Sequence, residues 1–351
     1  MSPGYLAGVD IGGTKLAAVV ADRAGEVRGR VQVETDLSQG EFSRFADGTA
    51  YDGLARRVKE ILHAALAKAG ATELAGIGIG AAGPLAHGAI LNPTNMVLPS
   101  IPPDLPPRPL YLPLVEPLRR EFSVPVRLEN DCNTAVLGEV EFGVGEETAN
   151  KEELHIVYVT ISTGLGAGVW SGGRVLLGKD GNAAEIGHIL VREGGLRCGC
   201  GNYGCAEAYC SGRGIVRNAR SRLVQAGMPA DSHLLQLARE GGLDGFAALA
   251  EITPPLVFAA AEEGDEIARA VIADVIYAGG VALAAIANAY DPAVITLGGS
   301  IAINHPELCA PMAEEMHRHL NVVPPEVRIT PLGTQAVEYG ALVLARQVAT
   351  A

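Results

Sequence analysis

The chain is short of positive charge: 27 lysines and arginines stand against 40 aspartates and glutamates in 351 residues, a formal net charge of −13 at neutral pH. A general nucleic-acid binder leaves a basic footprint, so this balance argues against that class. Cysteine is sparse as well, six residues in all, which excludes a disulfide scaffold for a chain of this length. Between Met1 and Asp10 there is no basic segment leading into an apolar run, and the longest apolar stretch, Ala278 to Tyr290, is interrupted by Asn288. Neither an export signal nor a membrane span is therefore expected, and the expected location is the cytoplasm.

What is present is ample apolar material, 48% of the residues, in a chain longer than the roughly 250 to 300 residues that one core serves. Two lobes with a cleft between them are expected. The 44 glycines and 21 prolines belong in tight turns and ligand loops. Tyr5 to Val9, Leu16 to Ala21 and Val27 to Val33 read as three strands of a meander. Leu54, Val58, Ile61, Leu62, Ala65 and Leu66 recur at helical spacing before Gly70, which predicts an amphipathic helix over Leu54 to Ala69. Seven prolines from Pro99 to Pro113 break all periodicity and suggest a lobe hinge or a rim of the cleft, with the boundary just beyond: a small lobe over 1–123, joined by a closing helix within 335–351, and a large lobe over 124–334. The large lobe repeats the opening pattern, with strands at His155 to Ile161 and Val169 to Val175 around a glycine-rich turn. Ile267 to Ala289, apolar on more than one face, suits a buried helix.

Several short motifs are candidates for chemistry. The Walker pattern is absent, so a nucleotide would need another loop geometry. Asp10-Ile11-Gly12-Gly13-Thr14-Lys15 joins two strands, and its glycines would let backbone N–H groups approach an anion; a plain hairpin turn is the alternative. Thr160-Ile161-Ser162-Thr163-Gly164-Leu165-Gly166 is a second such loop. Gly78-x-Gly80-x-x-Gly83 matches the dinucleotide fingerprint only formally, since turns rather than a helix follow it, and reads instead as a backbone loop facing a polar ligand or as a simple turn. Asp131, where a strand ends and a helix begins, is either an N-cap or a carboxylate able to take a proton from a hydroxyl attacking a phosphoryl group, with Asn130 beside it and Glu185 and Glu207 as further acceptors for a polyol. The most specific signal is His188 followed by Cys198-Gly-Cys200-Gly-Asn-Tyr-Gly-Cys205: three thiols and an imidazole satisfy tetrahedral zinc in a closed, structural site, with Cys210 as a substitute ligand. Cys132 and Cys309 read as small core residues.

Taken together, Asp10-Ile-Gly-Gly-Thr-Lys15, Glu129-Asn-Asp131-x-Asn133-x-x-x-x-Gly138-Glu139, Glu185-Ile-Gly-His188 and Cys198-Gly-Cys-Gly-Asn-Tyr-Gly-Cys205-x-Glu207-x-x-x-Ser211 resemble the ROK family of repressors and sugar kinases over nearly the whole chain. The resemblance implies an α/β, two-lobed, ribonuclease-H-like fold of the actin and hexokinase superfamily. It implies ATP-dependent phosphorylation of a hexose, glucose first and N-acetylglucosamine, N-acetylmannosamine or fructose as alternatives. Asp131 is then the catalytic base. Asn95, Asn130, Glu185, His188 and Glu207 bind the sugar, with His188 also a zinc ligand beside Cys198, Cys200 and Cys205. Gly12, Gly13, Thr14, Lys15, Thr163, Gly164 and Gly166 hold the phosphates of MgATP, Asp10 positions magnesium through water, and Gly298 and Gly299 border the adenosine. An aspartate at a helix start, its pKa lowered by the helix dipole, remains an adequate base for such a transfer. Ser162 departs from the family's usual glycine. Only nine residues precede Asp10, which leaves no room for the DNA reader of a repressor, and a homodimer without nucleic-acid or membrane partners is the expected state.

Overall fold

The computed structural model describes residues 4–93 and 96–350, in which the chain forms two compact units. The first comprises residues 1–154, 168–183 and 335–351, the second residues 155–167 and 184–334. The boundary expected after residue 123 thus falls inside the first unit. The reason is strand pairing: Val126–Asn130 lies parallel to Leu74–Ala81, and helix Asp131–Phe142 packs on the closing helix Ala336–Ala349. The proline-rich stretch is no hinge between units either. Its end, Leu110–Pro113, is a strand paired with Gly48–Tyr51 and Ala89–Leu91 in a sheet of the first unit.

The principal sheet of the first unit has the order Val126–Asn130, Leu74–Ala81, Tyr5–Ile11, Lys15–Ala21, Val27–Glu34. The first three strands are parallel and the last two continue as an antiparallel meander. Asp10 and Glu129 share Gly80 as their register partner, so Asp10 and Asp131 emerge at the same carboxyl-terminal edge of the parallel strands. One face of the sheet is covered by helix Gly53–Ala69, which buries Leu54, Val58, Ile61, Leu62, Ala65 and Leu66, the spacing seen in the sequence. Gly70, at φ 63°, closes it in the left-handed conformation.

The other face receives Ala336–Ala349 at backbone distance. A Cβ at Gly8 would lie 2.7 Å from the Glu338 carbonyl oxygen, one at Gly76 2.6 Å from that of Ala345, and one at Gly78 would collide with that of Ala341. Gly78 and Gly80 lie in a strand, as the sequence reading of a strand over Gly76 to Gly80 expects, and seat a helix, which replaces the further reading of Gly78-x-Gly80-x-x-Gly83 as a ligand loop. From the helix side, a Cβ at Gly340 would overlap the Thr134 carbonyl.

In the second unit His155–Ile161, Val294–Gly298 and Glu326–Ile329 run parallel. The strand Leu165–Ser171 begins in this unit and ends in the first. Helix Glu266–Tyr290 is long and apolar enough to cross a membrane by composition alone, yet 61% of its most apolar window is buried within the protein, as expected of a core helix. Asp265 caps its start by accepting from Ala268 N–H, and Asp291, at φ 46°, ends it. The Gly340→Ala variant is expected to lose on the order of 3 kcal/mol or more of stability in urea unfolding, because neither backbone can retreat; a loss below about 0.5 kcal/mol would show that the helix is not seated this tightly.

Candidate active site

Each unit carries its own group of candidate functional side chains. In the first, Asn130 takes the N-cap position of helix Asp131–Phe142, its Oδ1 accepting from Cys132 N–H at 2.9 Å and Asn133 N–H at 3.2 Å. Glu129 Oε1 supports it by accepting from Asn130 N–H and Asn133 Nδ2. Asp131 is thereby released from capping, and its carboxylate accepts the Cys132 N–H at 2.9 Å. The expected lowering of its pKa by the helix dipole is overturned. Burial raises it above the ordinary carboxyl range, outweighing the hydrogen bonds from Cys132 and Asn130.

Asp10, at the end of the neighbouring strand, is pushed up to about 8, first by burial and then by the negative charges of Asp131 and Glu338; Arg30 pulls the other way. The sequence reading missed Arg30 and Glu338. Glu338 is 2% exposed and held by a bidentate pair, Arg30 Nε to Oε2 at 2.7 Å and Nη2 to Oε1 at 2.6 Å. The available signal was an acidic residue in the first turn of a closing helix whose next six residues, Tyr339 to Leu344, carry no charge. Three carboxylates balanced by one guanidinium make this edge a place where a cation is favoured. Beside it Gly12 N–H donates to Lys15 C=O at 2.9 Å in a tight turn, with Thr14 and Lys15 exposed and Thr35 Oγ1 donating to the Gly12 carbonyl.

In the second unit the turn after His155–Ile161 lies against the one after Val294–Gly298. Gly299 has φ 83°, and a Cβ there would sit 2.6 Å from both the Ile161 carbonyl oxygen and Thr160 Oγ1, so glycine is required. Ser162, in place of the expected glycine, makes a hydroxyl contact with Ser300 Oγ at 3.0 Å. These turns open on a cavity of about 490 Å³ lined by Ser162, Thr163, Ser300 and Ile301, by Pro254, and by one face of helix Gly212–Gln225 carrying Arg213, Val216, Arg217 and Arg220. Those arginines were not singled out in the sequence, although their spacing of three and four residues places them on one helical face.

Glu207 ties two parts of this unit together. Its Oε2 accepts from Leu165 N–H at 3.1 Å, under Gly164, and its Oε1 lies 3.9 Å from Cys198 Sγ. The donor atoms of His188, Cys198, Cys200 and Cys205 all lie within 4.8 Å of one another, with Cys198 and Cys205 buried. His188 Nδ1 faces Cys198 Sγ at 3.7 Å. Burial, with Cys200 and Cys198 beside it, drives the Cys205 thiol up to about 12, so that thiolate in particular calls for a cation, whereas the Cys200 thiol is held below its ordinary value by the Asn202 N–H. Cys210 is excluded as a substitute ligand, since it is fully buried and turned to the Val275 carbonyl at 3.6 Å. Glu185 is exposed just before the turn Ile186–His188. Asn95 lies outside the described residues.

Comparison with known proteins gives the chain its family. The ROK family pattern matches residues 6–348. The chain belongs to the ROK family. A glucokinase of Streptomyces coelicolor is 32% identical over 348 residues, covering 98% of each chain. Among solved structures, a ROK family glucokinase from Streptomyces griseus in complex with glucose and AMPPNP is 31% identical with a TM-score of 0.71, covering 98% of this chain and all of that one. A ROK hexokinase from Thermus thermophilus is likewise 31% identical, with a TM-score of 0.74 and 98% coverage of both. The fold of this ROK member is accordingly the actin and hexokinase type.

The raised pKa of Asp10 has a measurable consequence. A carboxyl whose folded pKa lies above its unfolded value near 3.8 favours the folded state below that value, and this advantage is lost as pH rises toward about 8. In metal-free buffer the melting temperature should fall between pH 5 and 8 more steeply for the wild type than for Asp10→Asn. Parallel curves for the two proteins would remove the buried charge from the account.

Proposed function

We propose that this chain is an ATP-dependent glucokinase, transferring the terminal phosphoryl group of MgATP to the 6-hydroxyl of glucose. The observation that carries the proposal is Asp131. It is freed from capping by Asn130, raised in basicity by burial, and set at the strand edge beside Asp10. Its carboxylate takes the hydroxyl proton as the new O–P bond forms and the bond to ADP breaks, and a pKa nearer neutrality suits that exchange better than an ordinary carboxylate. Full-length similarity to glucokinases supports the choice of sugar.

The other roles follow the same reading. Asn130, Glu185, His188 and Glu207 bind sugar hydroxyls, and Asn95 is assigned with them. Gly12, Gly13, Thr14 and Lys15 in one unit, and Thr163, Gly164 and Gly166 in the other, bind phosphates through backbone N–H groups and hydroxyls. Gly298 and Gly299 border the adenosine. Magnesium bound to the nucleotide neutralises phosphate charge, and Asp10 is the carboxylate that would orient it through water. Zinc is the ion that three thiolates and an imidazole fit, holding its loop in shape without entering the reaction. With Nδ1 turned to the thiols, His188 keeps Nε2 for the sugar.

The proposal predicts that ADP release with MgATP is fastest with glucose in a panel that includes mannose, fructose, N-acetylglucosamine and N-acetylmannosamine. Asp131→Asn should lower kcat by roughly 10²- to 10⁴-fold with sugar binding retained, and a variant turning over at near wild-type rate would dismiss Asp131 as the base. Cys200→Ser should lose zinc, read by metal analysis, and melt at lower temperature; unchanged zinc content would dismiss the ligand set.

A further inference from the structure

A second anchor of the second unit sits on Asp274, a buried residue of helix Glu266–Tyr290 that is 7% exposed. One carboxylate oxygen accepts from Arg192 Nη1 at 2.9 Å. The other accepts from Arg222 Nη2 at 2.6 Å and from Asn218 Nδ2 at 2.9 Å, and Arg222 Nε in turn donates to Asn218 Oδ1. Arg192 belongs to the loop between His188 and Cys198. Arg222 and Asn218 belong to helix Gly212–Gln225, whose other face lines the cavity.

The loop is coupled to the anchor at close range. The Arg192 guanidinium lies 5.2 Å from the ring centroid of Tyr209 and 5.0 Å from that of Tyr277, and Tyr209 shares its short helix with Glu207. Tyr209 OH accepts from Leu196 N–H at 2.8 Å. The backbone between His188 and Arg192 pairs with that leading to Glu207, through Val191 N–H to Gly204 C=O at 2.9 Å and Ala206 N–H to Ile189 C=O at 3.1 Å. A displaced Arg192 therefore displaces both His188 and Glu207. On the far side, losing Arg222 or Asn218 frees the helix that presents Arg213, Arg217 and Arg220 to the cavity.

We infer that Asp274 is a positioning hub, holding the His188–Cys205 loop through Arg192 for the sugar and the cavity helix through Arg222 and Asn218 for the phosphoryl donor. The inference rests on the kinase reading, but its test separates the two. Two arginines reach one carboxylate from two segments with different duties, so the two arms fail differently.

The experiment compares Arg192→Met, Arg222→Met and Asp274→Asn with the wild type in the zinc-loaded full chain, measuring KM for glucose and for MgATP, kcat, zinc release to a chelator and melting temperature. Arg192→Met should raise the KM for glucose about tenfold and speed zinc release, with the KM for MgATP changed less than about twofold. Arg222→Met should do the reverse, raising the KM for MgATP with zinc release unchanged. Asp274→Asn should raise both. Arg192→Lys and Arg222→Lys, which keep the charge and stay folded if Asp274→Asn does not, should recover most of each effect. Equal changes in both KM values for every variant, or a lower melting temperature alone, would overturn the hub. A wild type with no sugar kinase activity would instead overturn the kinase reading, and zinc release from Arg192→Met would then still test the arm that holds the loop.

Discussion

The seating of helix Ala336–Ala349 on the first sheet at backbone distance is the constraint from which much of the first unit follows. Side chains at Gly8, Gly76 or Gly78 would hold the helix away, and at this distance Glu338 meets Arg30. The same packing fixes helix Asp131–Phe142, which lies against the closing helix through Thr134 and Gly340. Asp10 and Asp131 then meet at a strand edge where burial makes both carboxyls harder to ionise, with the charge of Asp131 adding to the effect on Asp10. A site of that kind favours a cation and a proton acceptor together, which is what phosphoryl transfer to an alcohol asks of it.

The second unit solves a different problem, holding the segment from His188 to Cys205 in place against helix Gly212–Gln225. Among the described residues the loop from His188 to Cys205 has two isolated bridges, Leu190 with Cys205 and Arg197 with Tyr203, and short backbone turns such as Gly195 N–H to Arg192 C=O and Gly201 N–H to Cys198 C=O. A metal at the four donors would fix one end of it, and Arg192 in its Asp274 and tyrosine setting fixes the other. Burial alone would raise the pKa of Asp274, but the hydrogen bonds from Asn218 and Arg222, with the charges of both arginines, hold it below the ordinary range. The buried charge is thus compensated within the network that uses it.

Much of this was legible in the sequence where local rules decide. The amphipathic helix Gly53–Ala69, the opening hairpin and the thiol and imidazole cluster all depend on spacing within a few turns of chain. What was not legible depended on distant partners. The proline-rich stretch read as a hinge because prolines erase periodicity, whereas its last residues pair with strands about 20 and about 60 positions earlier, a choice made by tertiary packing. Gly78 and Gly80 read as a ligand loop because a helix-seating strip and a loop use the same residue for the same reason, room for a close neighbour. The pKa of Asp131 was misjudged because the dipole is a local property and burial is not. Arg30 with Glu338, and Arg192 with Asp274, are 308 and 82 residues apart, and no pattern in one short window announces them.

The central claim is that the half-buried edge carrying Asp10 and Asp131 serves transfer to one particular hydroxyl. It is tested most directly by phosphorus NMR of the products formed from glucose and MgATP. The account predicts ADP and glucose 6-phosphate in equal amounts with no free inorganic phosphate; phosphate on another hydroxyl, or ATP hydrolysis without sugar phosphorylation, would contradict it.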